Sequence, residues 1–149
     1  MIPEPFDEIR KSIALKAPVS RVWTALTDHE AFGRWFRVTL DRPFAVGAPV
    51  IGTTEEGDLE WHAWVEQIEP EHHFCFSWYP LDVPPGTDVK DKPRTTVRFY
   101  LVPTQKGCEL TVIETGFSAF EDKKALDILR QNAAGWTAQL ENIKAYVSG

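Results

Sequence analysis

The sequence predicts an α+β fold in which several antiparallel strands pack against one long helix. Short segments with alternating apolar residues fill the middle of the chain. A continuous apolar stripe then steps by threes and fours through residues 126–147. Residues 17–36 add two short helices near the start. A length of 149 residues suits one domain, and no repeat or linker divides the chain, so we expect a single domain over residues 1–149.

The segment 17–36 predicts two helices that meet at a corner. The first helix carries an apolar stripe at helical spacing that ends at Leu26. Thr27 followed three residues later by Glu30 has the pattern of a capping box, which predicts that the second helix restarts at Asp28. The buried face of this second helix is expected to carry Phe32, Trp35 and Phe36.

Seven segments predict strands. Alternation turns Phe76 and Trp78 towards one face, Phe99 shares a face with its alternate neighbours in the next strand, and Val112 does so in the last. The predicted strands are residues 9–15, 38–40, 49–54, 61–68, 74–78, 96–103 and 108–117.

The last helix has a start signal and one unusual residue. Ser118 and Glu121 have the spacing of a second capping box. Gly135 in a helix interior costs up to about 1 kcal/mol, so its presence predicts close packing against the sheet and burial of the adjacent Trp136.

Two segments have no regular period. Residues 1–7 contain two prolines and are expected to form a loose leader. Residues 80–94 contain four prolines, one glycine and mixed charges. A loop of this length is either a lid over a binding site or a tolerated surface insertion, and both interpretations stay open.

Composition and charge exclude several classes of protein. The net charge of −6 and the pI near 5.2 argue against a nucleic-acid partner and against acidic lipid surfaces, because both need basic patches. No apolar run approaches the roughly 20 residues that span a bilayer. Two cysteines do not form a disulfide framework, and no secretory signal opens the chain. We therefore expect a reduced, cytoplasmic protein without a membrane partner.

Motifs for the common chemistries are missing. The sequence has no G-x-G-x-x-G, P-loop or G-x-S-x-G segment. His72 and His73 are adjacent, so their side chains point apart, and residues 71–73 are expected to be a solvated turn rather than a metal site. We expect no metal and no cofactor, and the catalytic residues, if any exist, stay unknown.

Glu114 is in phase with Leu110 and Val112, so alternation turns its carboxylate towards the predicted interior. Arg98 is out of phase with its inward neighbours and should not supply a compensating charge. Two interpretations follow. We expect Glu114 to reach water at the strand end near Gly116; the alternative is that it is buried and marks a site.

An ordered set of packing residues resembles a known family. The set comprises V-W-x-A-L-T-D-x-E-x-F-x-x-W over residues 22–35, FCFSW at 74–78, TVRFYLVP at 96–103, and Gly135-Trp136. It resembles the activator of heat-shock-protein-ninety ATPase-like family of the START-like (SRPBCC) superfamily. The resemblance implies a helix-grip fold, in which a curved antiparallel sheet wraps around the long C-terminal helix and two short helices follow the first strand.

The same resemblance implies an internal cavity and the non-covalent binding of a small apolar or aromatic molecule. One alternative is a cavity-based enzyme of cyclase or hydrolase type. Another is a co-chaperone that stimulates the heat-shock-protein-ninety ATPase. We favour that role least, because the activator proteins carry a separate N-terminal chaperone-binding domain and no such segment precedes the first strand. The expected ligand-binding residues are Trp35, Phe76, Trp78, Phe99, Val112, Glu114, Leu129 and Trp136.

Overall fold

The computed structural model describes residues 7–148. The expected leader over residues 1–7 therefore lies, apart from Asp7, outside the described residues. Within them the elements in chain order are β1 (Glu8–Leu15), α1 (Val19–Thr27), α2 (His29–Phe36), β2 (Val38–Leu40), β3 (Pro49–Thr54), β4 (Glu60–Glu69), β5 (His73–Trp78), β6 (Thr95–Thr104), β7 (Gly107–Thr115), a short 3-10 turn (Phe117–Ala119) and α3 (Asp122–Ser148).

The strands form one antiparallel sheet in the order β1-β7-β6-β5-β4-β3-β2. A register shift between Val65 and Gln67 marks a bulge in β4, which bends the strand. The sheet curves around α3, which also contacts α1 and α2. The predicted α+β helix-grip fold is confirmed, and every predicted strand ends within two residues of the observed bounds.

Asp28, and not Thr27, caps the second helix. The Asp28 carboxylate accepts a hydrogen bond from the Ala31 N–H at 3.0 Å, which is the usual N-cap contact. The Thr27 hydroxyl instead donates back to the Trp23 carbonyl at 2.8 Å. The predicted capping box at Thr27 is therefore wrong by one residue. The predicted apolar face is present, with Phe32 and Trp35 buried and Phe36 half-buried.

The start of α3 also differs from expectation. The Ser118 backbone N–H and hydroxyl donate to the Asp7 carboxylate at 2.8 and 3.3 Å, so Ser118 ties the 3-10 turn to the start of β1. The helix itself begins at Asp122, which makes the predicted capping box of Ser118 and Glu121 wrong. Beyond this turn the predicted stripe is largely confirmed. The buried residues of α3 are Ala125, Ile128, Trp136, Leu140, Ile143 and Val147.

His73 is buried, which corrects the expectation of a solvated turn over residues 71–73. It is the first residue of β5, and its ring stacks on Tyr100 with the centroids 4.5 Å apart. Its Nδ1 lies 3.0 Å from a carboxylate oxygen of Glu69. His72 stays exposed, so only part of the turn is in water.

The loop between β5 and β6 (residues 79–94) is anchored to the sheet. Val83 and Glu60 exchange two backbone hydrogen bonds of 2.7 and 3.0 Å, and Val83 and Val89 are both buried. This segment has no regular period in the sequence, but its two valines give it apolar contacts with the core. Its first residues consequently hold a defined position beside the end of β5.

Candidate functional site

A pocket of about 290 Å³ opens between α3, the end of α2, the start of β4, the end of β5 and the β5–β6 loop. Each of these five segments contributes one aromatic ring to its wall, and amide side chains of α3 form part of its edge. The lining residues are Phe36, Trp61, Trp78, Tyr79, Pro80, Leu81, Asp82, Gln131, Asn132, Gly135, Trp136 and Gln139.

The rings of the wall contact one another. Trp78 lies 5.8 Å from Trp136 and 5.7 Å from Trp61, measured between ring centroids. Phe36 lies 5.7 to 6.2 Å from each of these three tryptophans. Such separations are within the range of favourable aromatic pairs. These four rings therefore form one continuous aromatic surface within the wall.

Behind this wall lies Glu114, which is fully buried on β7. Its Oε2 accepts hydrogen bonds from the Thr95 hydroxyl at 2.6 Å and from the Trp78 indole N–H at 2.8 Å. Its Oε1 accepts from the Trp136 indole N–H at 2.8 Å. The Asn132 amide donates to both oxygens at 3.1 Å. Four side chains from β5, β6 and α3 thus direct donors at one carboxylate, and three of them line the pocket.

The expectation that Glu114 reaches water at the strand end is wrong. α3 passes over this end of β7 and covers the carboxylate with Asn132 and Trp136. Burial raises the pKa of Glu114 above its ordinary value near 4.5, and the four hydrogen-bond donors offset part of that rise. None of these four donors carries a positive charge, so hydrogen bonds alone compensate the burial.

Some polar groups at the pocket edge have hydrogen-bond partners and others do not. The Gln139 amide donates to the Phe36 carbonyl at 3.3 Å. Asn132 directs its NH₂ group at Glu114, and its carbonyl oxygen accepts no hydrogen bond from the described residues. The indole N–H of Trp61 is buried and has no partner among them either. Asp82 stands at the rim with part of its surface in solvent, and the surrounding protein raises the pKa of its carboxyl.

The structure places two of the expected site residues, Trp78 and Trp136, in the pocket wall. Glu114 lies behind them and touches both indoles. Phe76 and Phe99 contact these rings from the packed core, at centroid distances of 5.5 Å to Trp78 and 5.6 Å to Trp136. Three others lie outside the lining: Trp35, which donates its indole N–H to the Ala25 carbonyl at 2.7 Å, Val112, which is buried in the sheet, and Leu129, which is half-buried on α3.

Gly135 lines the pocket and does not pack closely against the sheet. A Cβ atom at this position would meet no neighbouring heavy atom within 4 Å. The predicted close approach is therefore wrong, although the predicted burial of Trp136 is correct at 3% exposure. Gly135 therefore borders open space of the pocket rather than a packed neighbour.

Sequence reasoning missed several residues of the wall. Trp61 alternates with the buried Ala63 and Val65, so strand periodicity signals its inward direction. Asn132 precedes Trp136 by four residues, the helical spacing that places two side chains on one face. Tyr79 and Asp82 follow the end of β5 in an irregular loop, and no periodicity marks them.

Comparison with known families assigns the chain. Residues 16–148 match the family described as activator of Hsp90 ATPase homolog 1-like protein. The chain belongs to this family. The match begins just after β1 and reaches the end of α3, so the pocket and the Glu114 cluster lie within the family's own domain. A search of curated proteins finds no match.

Solved structures share the fold of this activator-like domain. Protein MLL2253 from Mesorhizobium loti is 20% identical, with a TM-score of 0.76 over 95% of this chain and 96% of that chain. A protein from Arthrobacter aurescens is 21% identical, with a TM-score of 0.76 over 95% and 86% of the two chains. DynU16, a putative protein in the dynemicin biosynthetic locus, is 24% identical with a TM-score of 0.75, and this chain spans 47% of it. These identities establish a common fold.

Two further features bear on the kind of site. Within residues 7–148, no group of three or more His, Cys, Asp or Glu side chains is arranged to hold a metal ion. No helix of this part of the chain combines the length and the apolar character needed to cross a membrane.

Proposed function

We propose that this activator-like domain binds a small apolar or aromatic molecule non-covalently in the pocket between α3 and the β5–β6 loop. The continuous aromatic wall carries the proposal, because apolar rings surrounding a few oriented polar groups are typical of small-molecule sites. A volume of about 290 Å³ suits a small molecule rather than a peptide or nucleic acid.

The Glu114 cluster supports the proposal by holding the pocket open. Rotation of the Trp78 or the Trp136 ring into the pocket would fill part of its space. Their indole N–H groups are each bonded to the same buried carboxylate at 2.8 Å. Leaving such a donor unpaired costs about 1–3 kcal/mol, so a ring that rotates into the pocket loses this contact. The pocket is thereby preorganised for a ligand.

The position of the β5–β6 loop also supports the proposal. Pro80, Leu81 and Asp82 form part of the wall, and the backbone pairing of Val83 with Glu60 fixes the position of this part of the loop. A lid role for the loop remains a prediction. Its anchoring favours a rigid wall at residues 80–83, with any opening confined to the segment beyond Val83.

Substitution at Gly135 tests the proposal. N-phenyl-naphthylamine, an uncharged fluorescent probe of apolar sites, should bind saturably to the wild-type protein. Gly135→Leu places a side chain into the open space of the pocket and should abolish that binding. Ala134→Leu is the matched control, because Ala134 is exposed on the same helix and does not line the pocket. Absence of saturable binding to the wild type, or equal binding to Gly135→Leu, would refute the proposal.

A further inference from the structure

We infer that the pocket selects a protonated amine carried on an apolar or aromatic body, in preference to a neutral molecule or a carboxylate. This inference rests on the proposed function and specifies the chemical class of the ligand. Three features of the wall support it: the charges of the lining, the hydrogen bonds of its indoles, and the orientation of one amide.

The ionisable side chains of the lining are negatively charged overall. Among the described residues that form it, Asp82 carries the one ionisable carboxylate, and there is no Lys, Arg or His. Two described cations lie close to the lining without being part of it: the Lys92 Nζ is 5.9 Å from the centroid of Tyr79, and Arg37 lines an adjoining pocket that shares Asp82. Within the lining itself, a ligand cation meets a carboxylate, whereas a ligand anion meets like charge.

The two indoles of the wall are suited to a cation. Trp is the strongest aromatic partner for a cation, because its ring face carries negative potential. Trp78 and Trp136 both donate their N–H to the Glu114 carboxyl group, and hydrogen bonding to an acceptor of this kind pushes electron density into the indole ring. Glu114 therefore strengthens the affinity of both ring faces for a positive charge, without touching the ligand.

Asn132 adds an acceptor at the pocket edge. Because its NH₂ group is bonded to both oxygens of Glu114, the amide cannot turn over without losing these contacts. Its carbonyl oxygen is thereby fixed as the group available to a ligand, and a carbonyl oxygen accepts hydrogen bonds and does not donate them. An ammonium group supplies donors that suit both this oxygen and Asp82.

A matched series of ligands tests the inference. Phenylpropylamine, butylbenzene and phenylbutyrate share one apolar body and differ in the terminal group, which is cationic, neutral or anionic at pH 7. Each is titrated against protein loaded with N-phenyl-naphthylamine, in about 0.15 M salt so that long-range attraction by the net charge is screened. The amine should displace the probe roughly tenfold more tightly than butylbenzene, and phenylbutyrate should be the weakest of the three.

Two isosteric variants separate a local effect from the overall charge. Asp82→Asn should weaken the amine about threefold relative to butylbenzene measured on the same variant. Asp91→Asn removes the same charge from an exposed position of the same loop outside the lining, and should change neither ligand.

The outcomes distinguish this inference from the proposed function. If the probe binds but the amine binds no more tightly than butylbenzene or phenylbutyrate, the preference for a cation is refuted and the proposed binding function is retained. The same holds if Asp82→Asn and Asp91→Asn behave alike. If the probe does not bind the wild-type protein at all, both proposals fail.

Discussion

Removal of the Glu114 carboxylate is the most direct perturbation of the site. In Glu114→Ala, the indole N–H of Trp136, the amide of Asn132 and the hydroxyl of Thr95 lose their acceptor, and the Trp78 N–H keeps only the Thr95 oxygen. Each buried donor left unpaired costs about 1–3 kcal/mol, and the truncation also leaves a cavity. The variant also no longer buries a carboxylate, and this saving offsets part of the destabilisation. We expect Glu114→Ala to lower the free energy of unfolding by about 3–5 kcal/mol.

Glu114→Gln should lower the free energy of unfolding by less, because the amide keeps several of the hydrogen bonds. An amide nitrogen placed at the Oε2 position faces Thr95, whose hydroxyl can turn and accept from it. Trp78 keeps an acceptor, because its N–H also lies 2.8 Å from the Thr95 oxygen. The new carbonyl at the Oε1 position retains Trp136 and Asn132. The Thr95 hydroxyl hydrogen and the second hydrogen of the new amide are then left without an acceptor, and loss of the buried charge offsets part of their cost, which predicts a loss of about 1–3 kcal/mol.

Urea denaturation followed by far-ultraviolet circular dichroism measures both losses, and the indole N–H resonances of Trp78 and Trp136 report on the cluster itself. Glu109→Ala is the matched control, because Glu109 is exposed on the same strand and should change stability by less than about 0.5 kcal/mol. A Glu114→Ala variant as stable as this control, with unshifted indole resonances, would show that the carboxylate does not organise the wall.

Three further predictions concern stability. Trp136→Ala removes a buried ring and should lower the free energy of unfolding by about 3–5 kcal/mol in denaturant melts, whereas a loss below about 1 kcal/mol would mean that the ring is peripheral. Gly135→Ala and Gly33→Ala make the same change in two helices, and we expect them to change stability in opposite directions. The first adds a methyl group to open space and should raise stability by up to about 1 kcal/mol; the second drives Cβ into the Val38 carbonyl oxygen and should lower it by about 1–3 kcal/mol, so equal thermal shifts would contradict both. Because the folded state raises the pKa of Glu114, it holds that proton to a higher pH than the unfolded chain does, and stability should fall as pH rises from about 4.5 through the raised pKa. Melts over this range should show a smaller fall for Glu114→Gln, and an identical profile would assign the dependence to other groups.

Local patterns in the sequence predicted the fold well. Alternation located the strands, and the helical stripe located α3, because each of these patterns is set by one element's contact with a common core. The helix starts were less predictable. Asp28 and Thr27 are both good capping residues, and only the path of the backbone decides which of them meets the free N–H of Ala31.

The pocket was harder to predict, because its wall depends on contacts between distant parts of the chain. Alternation correctly turned Trp78 inwards and helical phase correctly buried Trp136, but neither pattern distinguishes a ring in a pocket wall from one in a packed core. Phe99 has the same inward phase and lies wholly within the core. The difference comes from what surrounds each ring: Trp78 and Trp136 line the pocket together with Gly135, and only the folded chain brings Trp78 to this part of α3.

Glu114 shows how a locally unfavourable residue can specify a site. Its donors stand 18 to 36 residues away along the chain, so no short motif announces them. An apolar residue at this position would avoid the cost of burying a carboxylate. It would, however, leave the donors of Thr95, Asn132 and Trp136 unpaired and the indoles of Trp78 and Trp136 without the common acceptor that aligns them. The buried carboxylate thus carries a desolvation cost and fixes the orientation of two rings, and that orientation matters to a surface that receives a ligand more than to a core that only has to be filled.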